Sequence, residues 1–93
     1  MNIGNAIKLC RTQKGYTQSK LSEKANISVS YLSLLEKGKR DPNLSTLQDI
    51  STALEVPTSI LMFLASDKEE LDGISEELAE KLSLTVLKLI SAK

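Results

Sequence analysis

Two short helical patterns, joined by a turn of three or four residues, limit what this chain can fold into more than any other feature. In the first, Leu21 and Ala25 face inward behind Thr17, a good N-cap. Asn26 ends it. Ser28 then caps the second pattern, in which Leu32 and Leu35 face inward before Gly38 closes it. Neither helix can bury its apolar face on so small a partner, so flanking helices must complete the core. The second helix is thereby left standing out.

The flanking sequence supplies those helices. Ile3, Ile7 and Cys10 lie three and four residues apart, which predicts a helix from Ile3 to Lys14 stopped by Gly15. Asn43 caps a fourth helix with Leu44, Leu47, Ile50 and Leu54 on one stripe. Pro57 suits the first turn of a fifth, where its missing N–H has no partner anyway, and that helix ends near Leu64. The acidic run ASDKEELDG (65–73) reads as a connector. Ser75 caps a last helix over SEELAEKLSLTVLKLISAK, with Glu76 and Glu77 at the positive end of its dipole. No stretch alternates with period two, so the chain is expected to be all-α. Five helices fall within residues 1–66, and the connector and an amphipathic C-terminal helix fall within 67–93. At 41% hydrophobic and 26% charged the chain can form a globule, and with only three aromatics its core must be mostly aliphatic.

Several function classes are excluded at this level. No apolar run reaches about 18 residues, so no membrane span is expected. The N-terminus has neither a long apolar region nor a small-residue cleavage site, so it does not read as a signal peptide. The lone Cys10 cannot form an internal disulfide and sits on an apolar helical face, which points to a core residue in a reducing, cytoplasmic compartment. With no His and one Cys, no zinc site of common ligands is available. There is no Gly-rich phosphate loop and no nucleophile–base pair built on His. Neither an enzyme, nor a cofactor, nor a small-molecule ligand is expected.

The net charge of zero conceals an asymmetry. Residues 1–42 carry eight Lys and Arg against three acidic residues, a balance of +5, and residues 43–93 carry four against nine, a balance of −5. A basic face for an anionic partner and an acidic remainder follow from that split.

The run RTQKGYTQSKLSEKANISVSYLSLLEKGKRDPNLSTLQDISTALEVP resembles the helix-turn-helix domain of the phage-repressor (Cro/repressor, or Xre) family. The matching features are G-Y-T-Q, A-N-I-S, Y-L-S-L-L-E-K-G-K-R-D-P and L-x-x-L-x-x-I-x-x-A-L-x-V-P, in order and over roughly residues 3–64. The resemblance implies a five-helix, lambda-repressor-like fold that binds double-stranded DNA, with the second of the paired helices entering the major groove, which is roughly 12 Å wide.

By the same resemblance Ser28, Val29, Ser30 and Ser33 face the bases, with Leu34 on the flank. Val29 suits a thymine methyl, and the serines each offer one permissive hydrogen bond. Leu34 stands where the family often carries a polar residue, and either a methyl contact or a structural role fits it. Thr17, Gln18, Tyr31, Lys37, Lys39 and Arg40 are implied as phosphate contacts, although the Tyr31 ring equally suits the core. Arg11 and Glu36 match a structural ion pair that fixes how the reading helix projects. With no bidentate reader on the helix, much of the specificity must come from the loop cations and DNA shape.

The last helix carries Leu78, Leu82, Val86 and Leu89 as a stripe, widened by Leu84, Leu87 and Ile90. That is too apolar for a monomer's surface, so Leu82, Val86, Leu89 and Ile90 are expected to join two copies. Together these features describe a homodimeric, sequence-specific repressor bound to a palindromic operator. The alternative is a protein-interaction module, such as an antitoxin that binds a partner through its C-terminal half.

Overall fold

Side-chain caps set where most of the helices begin. Asn2, Thr17, Ser28 and Asn43 each accept a hydrogen bond from the backbone N–H three residues on, at 2.8–3.0 Å. They start α1 (Ile3–Lys14), α2 (Gln18–Ala25), α3 (Val29–Glu36) and α4 (Leu44–Leu54). The chain, seen here in a computed structural model, is described over residues 2–66 and 76–91. Two more helices follow, α5 (Thr58–Ala65) and α6 (Glu76–Ser91), and no strand occurs among the described residues. Residues 67–73 of the expected connector and the expected Ser75 cap lie outside the described residues.

Two helix ends differ from expectation. Pro57 takes the N-cap place of α5 rather than its first turn, and the hydroxyls of Ser51 and Thr58, 2.8 Å apart, tie α4 to the new helix. α4 ends on Glu55 in the left-handed conformation, at φ 60°, a place that usually falls to Gly or Asn. The other left-handed ends are Gly15, Asn26 and Gly38, all read from their residue types.

The core is aliphatic. Ile7, Cys10, Leu21, Leu32, Leu35, Ile50, Leu54 and Leu61 are fully buried, and Ala6, Ala25, Leu47 and Ala65 fill the gaps between them. Truncating one of the leucines to Ala should cost about 2–5 kcal/mol. α1 is the hub, packed against α3, α4, α5 and α6, while α2 packs on α3 and α4. Burial pushes the Cys10 thiol up to about 11.

Two expected apolar faces need correction. Leu44 is 66% exposed, beside Ile3, Pro42 and Met62, because the first residue of α4 lies beyond the turn that meets the core. Ile90 of α6 is buried within its own chain, and Val86 and Leu87 are half-buried against the same cluster. Ile90 is therefore not available to another copy, and Val86 is available only in part. What α6 leaves open is Leu78, Leu82, Leu84 and Leu89, between 40% and 70% exposed.

Candidate nucleic-acid interface

α3 is a helix with one committed face. Leu32 and Leu35 are fully buried, and Ile27, just before its cap, packs against the same cluster. Its N-terminal end turns the other way: Ser28, Val29 and Ser30 are exposed. Val29 is an apolar side chain 42% open to solvent, and it lies between two hydroxyls. The Ser28 oxygen already accepts from the Tyr31 N–H, which leaves its hydrogen and one lone pair for a second partner. Ser33 and Leu34, one turn further on, are half-buried.

The loop after α3 supplies charge. Lys37, Lys39 and Arg40 are all exposed, and Gly38 reverses the chain at φ 75° so that the loop leaves the helix sharply. The Arg40 guanidinium lies 5.8 Å from the Tyr31 ring centroid. Tyr31 is half-buried against the core cluster, so its ring serves the core and also carries a cation on its open side.

α2 meets α3 through a polar junction. Arg11 donates from Nε and Nη2 to the two Glu36 oxygens at 2.7 and 3.0 Å, and from Nη1 to the Tyr16 carbonyl at 2.9 Å. Gln18 donates from Nε2 to the same carboxylate at 3.1 Å. The Glu36 side chain is only 3% exposed, so these donors replace the water it has lost. Because a carboxylate only accepts, the nitrogen of the Gln18 amide must face it. Gln18 is thus half-buried and held, whereas Thr17, which caps α2, is exposed.

The structure brings the five base-reading candidates onto one short helix and its cap, Ser28 capping and Val29, Ser30, Ser33 and Leu34 within it, and sets the loop cations at its C-terminal end. Three features were not singled out in the sequence. Tyr16 lies beneath Lys20 and Lys24, whose Nζ atoms are 4.9 and 5.6 Å from its ring centroid. The Gln18–Glu36 bond joins residues eighteen apart, so no local pattern announces it. Gly4 packs directly on the backbone at the end of α3, and its only trace in the sequence is a glycine inside a helical pattern.

Among the described residues no helix is long and apolar enough to cross a membrane, and no group of His, Cys, Asp or Glu could hold a metal ion. The arrangement offers hydrogen-bond donors, a methyl-bearing contact and cations, which suits an anionic, grooved partner.

Known proteins carry the same pattern. A helix-turn-helix family model matches residues 7–61. The chain is 40% identical over 62 residues to the immunity repressor protein of Bacillus phage phi105, a match covering 67% of this chain and 43% of the relative. It is 32% identical over 66 residues to transcriptional regulator ClgR of Mycobacterium tuberculosis (strain CDC 1551 / Oshkosh), covering 71% and 59%. With the HTH-type transcriptional regulator SinR of Bacillus subtilis (strain 168), identity is 37% over 81 residues, covering 86% and 72%. The chain spans about half the length of the first two relatives, 43% and 59%. All three are named as regulators or repressors, the non-enzymatic class expected from the sequence.

Proposed function

Because this chain belongs to the helix-turn-helix family, as a phage-repressor-like member, we propose that it is a sequence-specific, double-stranded DNA-binding transcriptional regulator that acts as a homodimeric repressor. The observation that carries this reading is the pose of α3. Its core face is fully used, its N-terminal end is open, and exposed Lys37, Lys39 and Arg40 follow its C-terminal end. In this reading Val29, Ser30, Ser33 and Leu34 meet base edges, Ser28 offers its hydrogen, and Thr17, Gln18, Tyr31 and the loop cations hold phosphates. Residues 1–66 form the DNA-binding unit and 67–93 join the copies.

Leu78, Leu82, Thr85 and Leu89 are spaced four, three and four residues apart, the seam of a helix that pairs with its like. Two copies bring two short reading helices to a palindrome with half-sites about 34 Å apart, one turn of DNA. A single α3, with no bidentate reader, would discriminate at or below about 1–3 kcal/mol per contact.

The test is selection of bound fragments from genomic DNA, followed by titration of the selected site against a scrambled duplex over a range of salt. A preferred palindrome with a steep salt dependence is expected. Equal affinity for both duplexes would overturn the reading. One observation favours a second reading: Leu84, 53% exposed, points away from the Leu82 seam and would be left uncovered in a simple pair. A different protein that covers both sides of α6 would co-purify with the chain in a fixed ratio.

A further inference from the structure

The first turn of α1 touches the last turn of α3 at a place where no side chain fits. A Cβ on Gly4 would overlap the carbonyl oxygen of Leu35 and press against the carbonyl of Glu36 at 3.1 Å. These are backbone atoms, so no rotamer change relieves the overlap. Gly4 is buried and carries no left-handed φ, so its lack of a side chain matters here only for space. One further link joins the two helices near the same end: Arg11, two turns along α1, holds the Glu36 carboxylate. α3 is therefore fixed to α1 at its C-terminal end, by contact at Gly4 and by the ion pair at Arg11.

If that contact is forced apart, α3 must be the helix that yields. α1 is locked by Ala6, Ile7 and Cys10, all fully buried, and besides α3 it packs on α4, α5 and α6. α3 has only Leu32 and Leu35 fully buried. A recognition surface needs its groups held to within about 0.5 Å, and relieving the Gly4 overlap requires more than that.

We propose that Gly4, which has no side chain to touch DNA, is a specificity-determining positioning residue: its missing side chain sets the stand-off between α1 and α3, and so the pose of Val29, Ser30 and Ser33 against the bases. This rests on the DNA-binding reading above. Of the loop cations only Lys37 caps α3 itself, while Lys39 and Arg40 follow the left-handed turn at Gly38 and all three are long, exposed side chains, so their phosphate contacts depend less on that pose than base contacts do.

The experiment is Gly4→Ala in the full chain, made both alone and with Glu55→Gly, a change at the far end of α4 chosen to add stability. Circular dichroism establishes folding, and titrations compare the selected operator with a scrambled duplex at several salt concentrations. The expected result is a folded variant whose operator-to-scrambled affinity ratio falls by about tenfold or more, with little change in scrambled binding or salt slope. A role in stability alone would lower both affinities together and leave the ratio unchanged, which overturns the proposal. So does a variant that fails to fold even with Glu55→Gly. Failure of the DNA-binding reading itself is distinguishable, since the wild-type chain would then show no preference between the two duplexes.

Discussion

The guanidinium of Arg11 grips both oxygens of Glu36 while its third nitrogen donates to the carbonyl of Tyr16. One side chain thus ties α1 to the end of α3 and to the turn that leads into α2. The pair is nearly buried, at 12% and 3% exposure, so its worth lies in what happens when one partner is lost. Arg11→Ala leaves a carboxylate uncompensated and should cost about 3–5 kcal/mol in urea unfolding. Arg11→Met with Glu36→Leu should recover much of that loss, because apolar residues of similar size need no partner. A loss below about 1 kcal/mol for the single change would place the pair in water instead.

In the proposed reading, charge in the loop makes a separate, sequence-independent contribution to DNA binding. Lys39→Ala and Arg40→Ala should weaken binding to all duplexes nearly equally, and each should lower the salt slope by about 1. An unchanged slope with loss at one base pair would make these residues base readers.

The open face of α6 predicts the assembly. Leu82→Lys with Leu89→Lys changes two exposed residues and leaves Ile90 in place, so the fold should persist while association is lost. Light scattering should report a dimer for the wild type and a monomer for the variant, with palindrome affinity down by about tenfold or more. A wild-type monomer at micromolar concentration that binds a single half-site tightly would remove the case for pairing.

Glu55 offers a stabilising change. Its left-handed backbone costs about 1 kcal/mol or more relative to glycine, partly offset by the greater freedom of an unfolded glycine. The carboxylate it would forfeit reaches Lys14 at 3.6 Å but is 69% exposed, so that pair adds little. Glu55→Gly should raise the melting temperature by a few degrees, at about 4–8 °C per kcal/mol for a domain of this size. A lowered melting temperature would contradict the strain argument.

Cys10 gives a pH signature. Burial raises its pKa in the folded chain from 9.0 to about 11, because the thiolate is disfavoured there. The folded state therefore holds the proton more tightly, and this contribution is fully present below 9.0 and lost as pH rises toward 11. Stability should decline over that window in the wild type and less so in Cys10→Ala, compared by urea unfolding at pH 8 and 10.5. Alkylation should likewise be slow until the chain unfolds.

The parts of this fold that were legible in the sequence are those whose causes are local. Asn43 before Leu44, Thr17 before Gln18 and Gly15 after Lys14 mark helix ends because each cap bonds its own neighbours. Periodicity located α6 but did not show that Ile90 faces its own core and Leu89 does not, because a repeat reports a face and not what covers it. Leu44 belongs to the α4 stripe by spacing, yet the core ends one turn short of it. The Gln18–Glu36 bond and the Gly4 contact join distant residues, and Glu55 takes a conformation that its residue type disfavours.

The central place of α1 has a thermodynamic consequence. It touches both α6 and α3, so the helix proposed to pair copies and the helix proposed to read DNA share one neighbour. Any shift of α1 that favours pairing and alters α3 couples the two equilibria. Linkage then requires reciprocity: the factor by which an operator tightens association equals the factor by which association tightens operator binding. On the proposed reading, the protein would then respond to its own concentration more steeply than either equilibrium alone would allow.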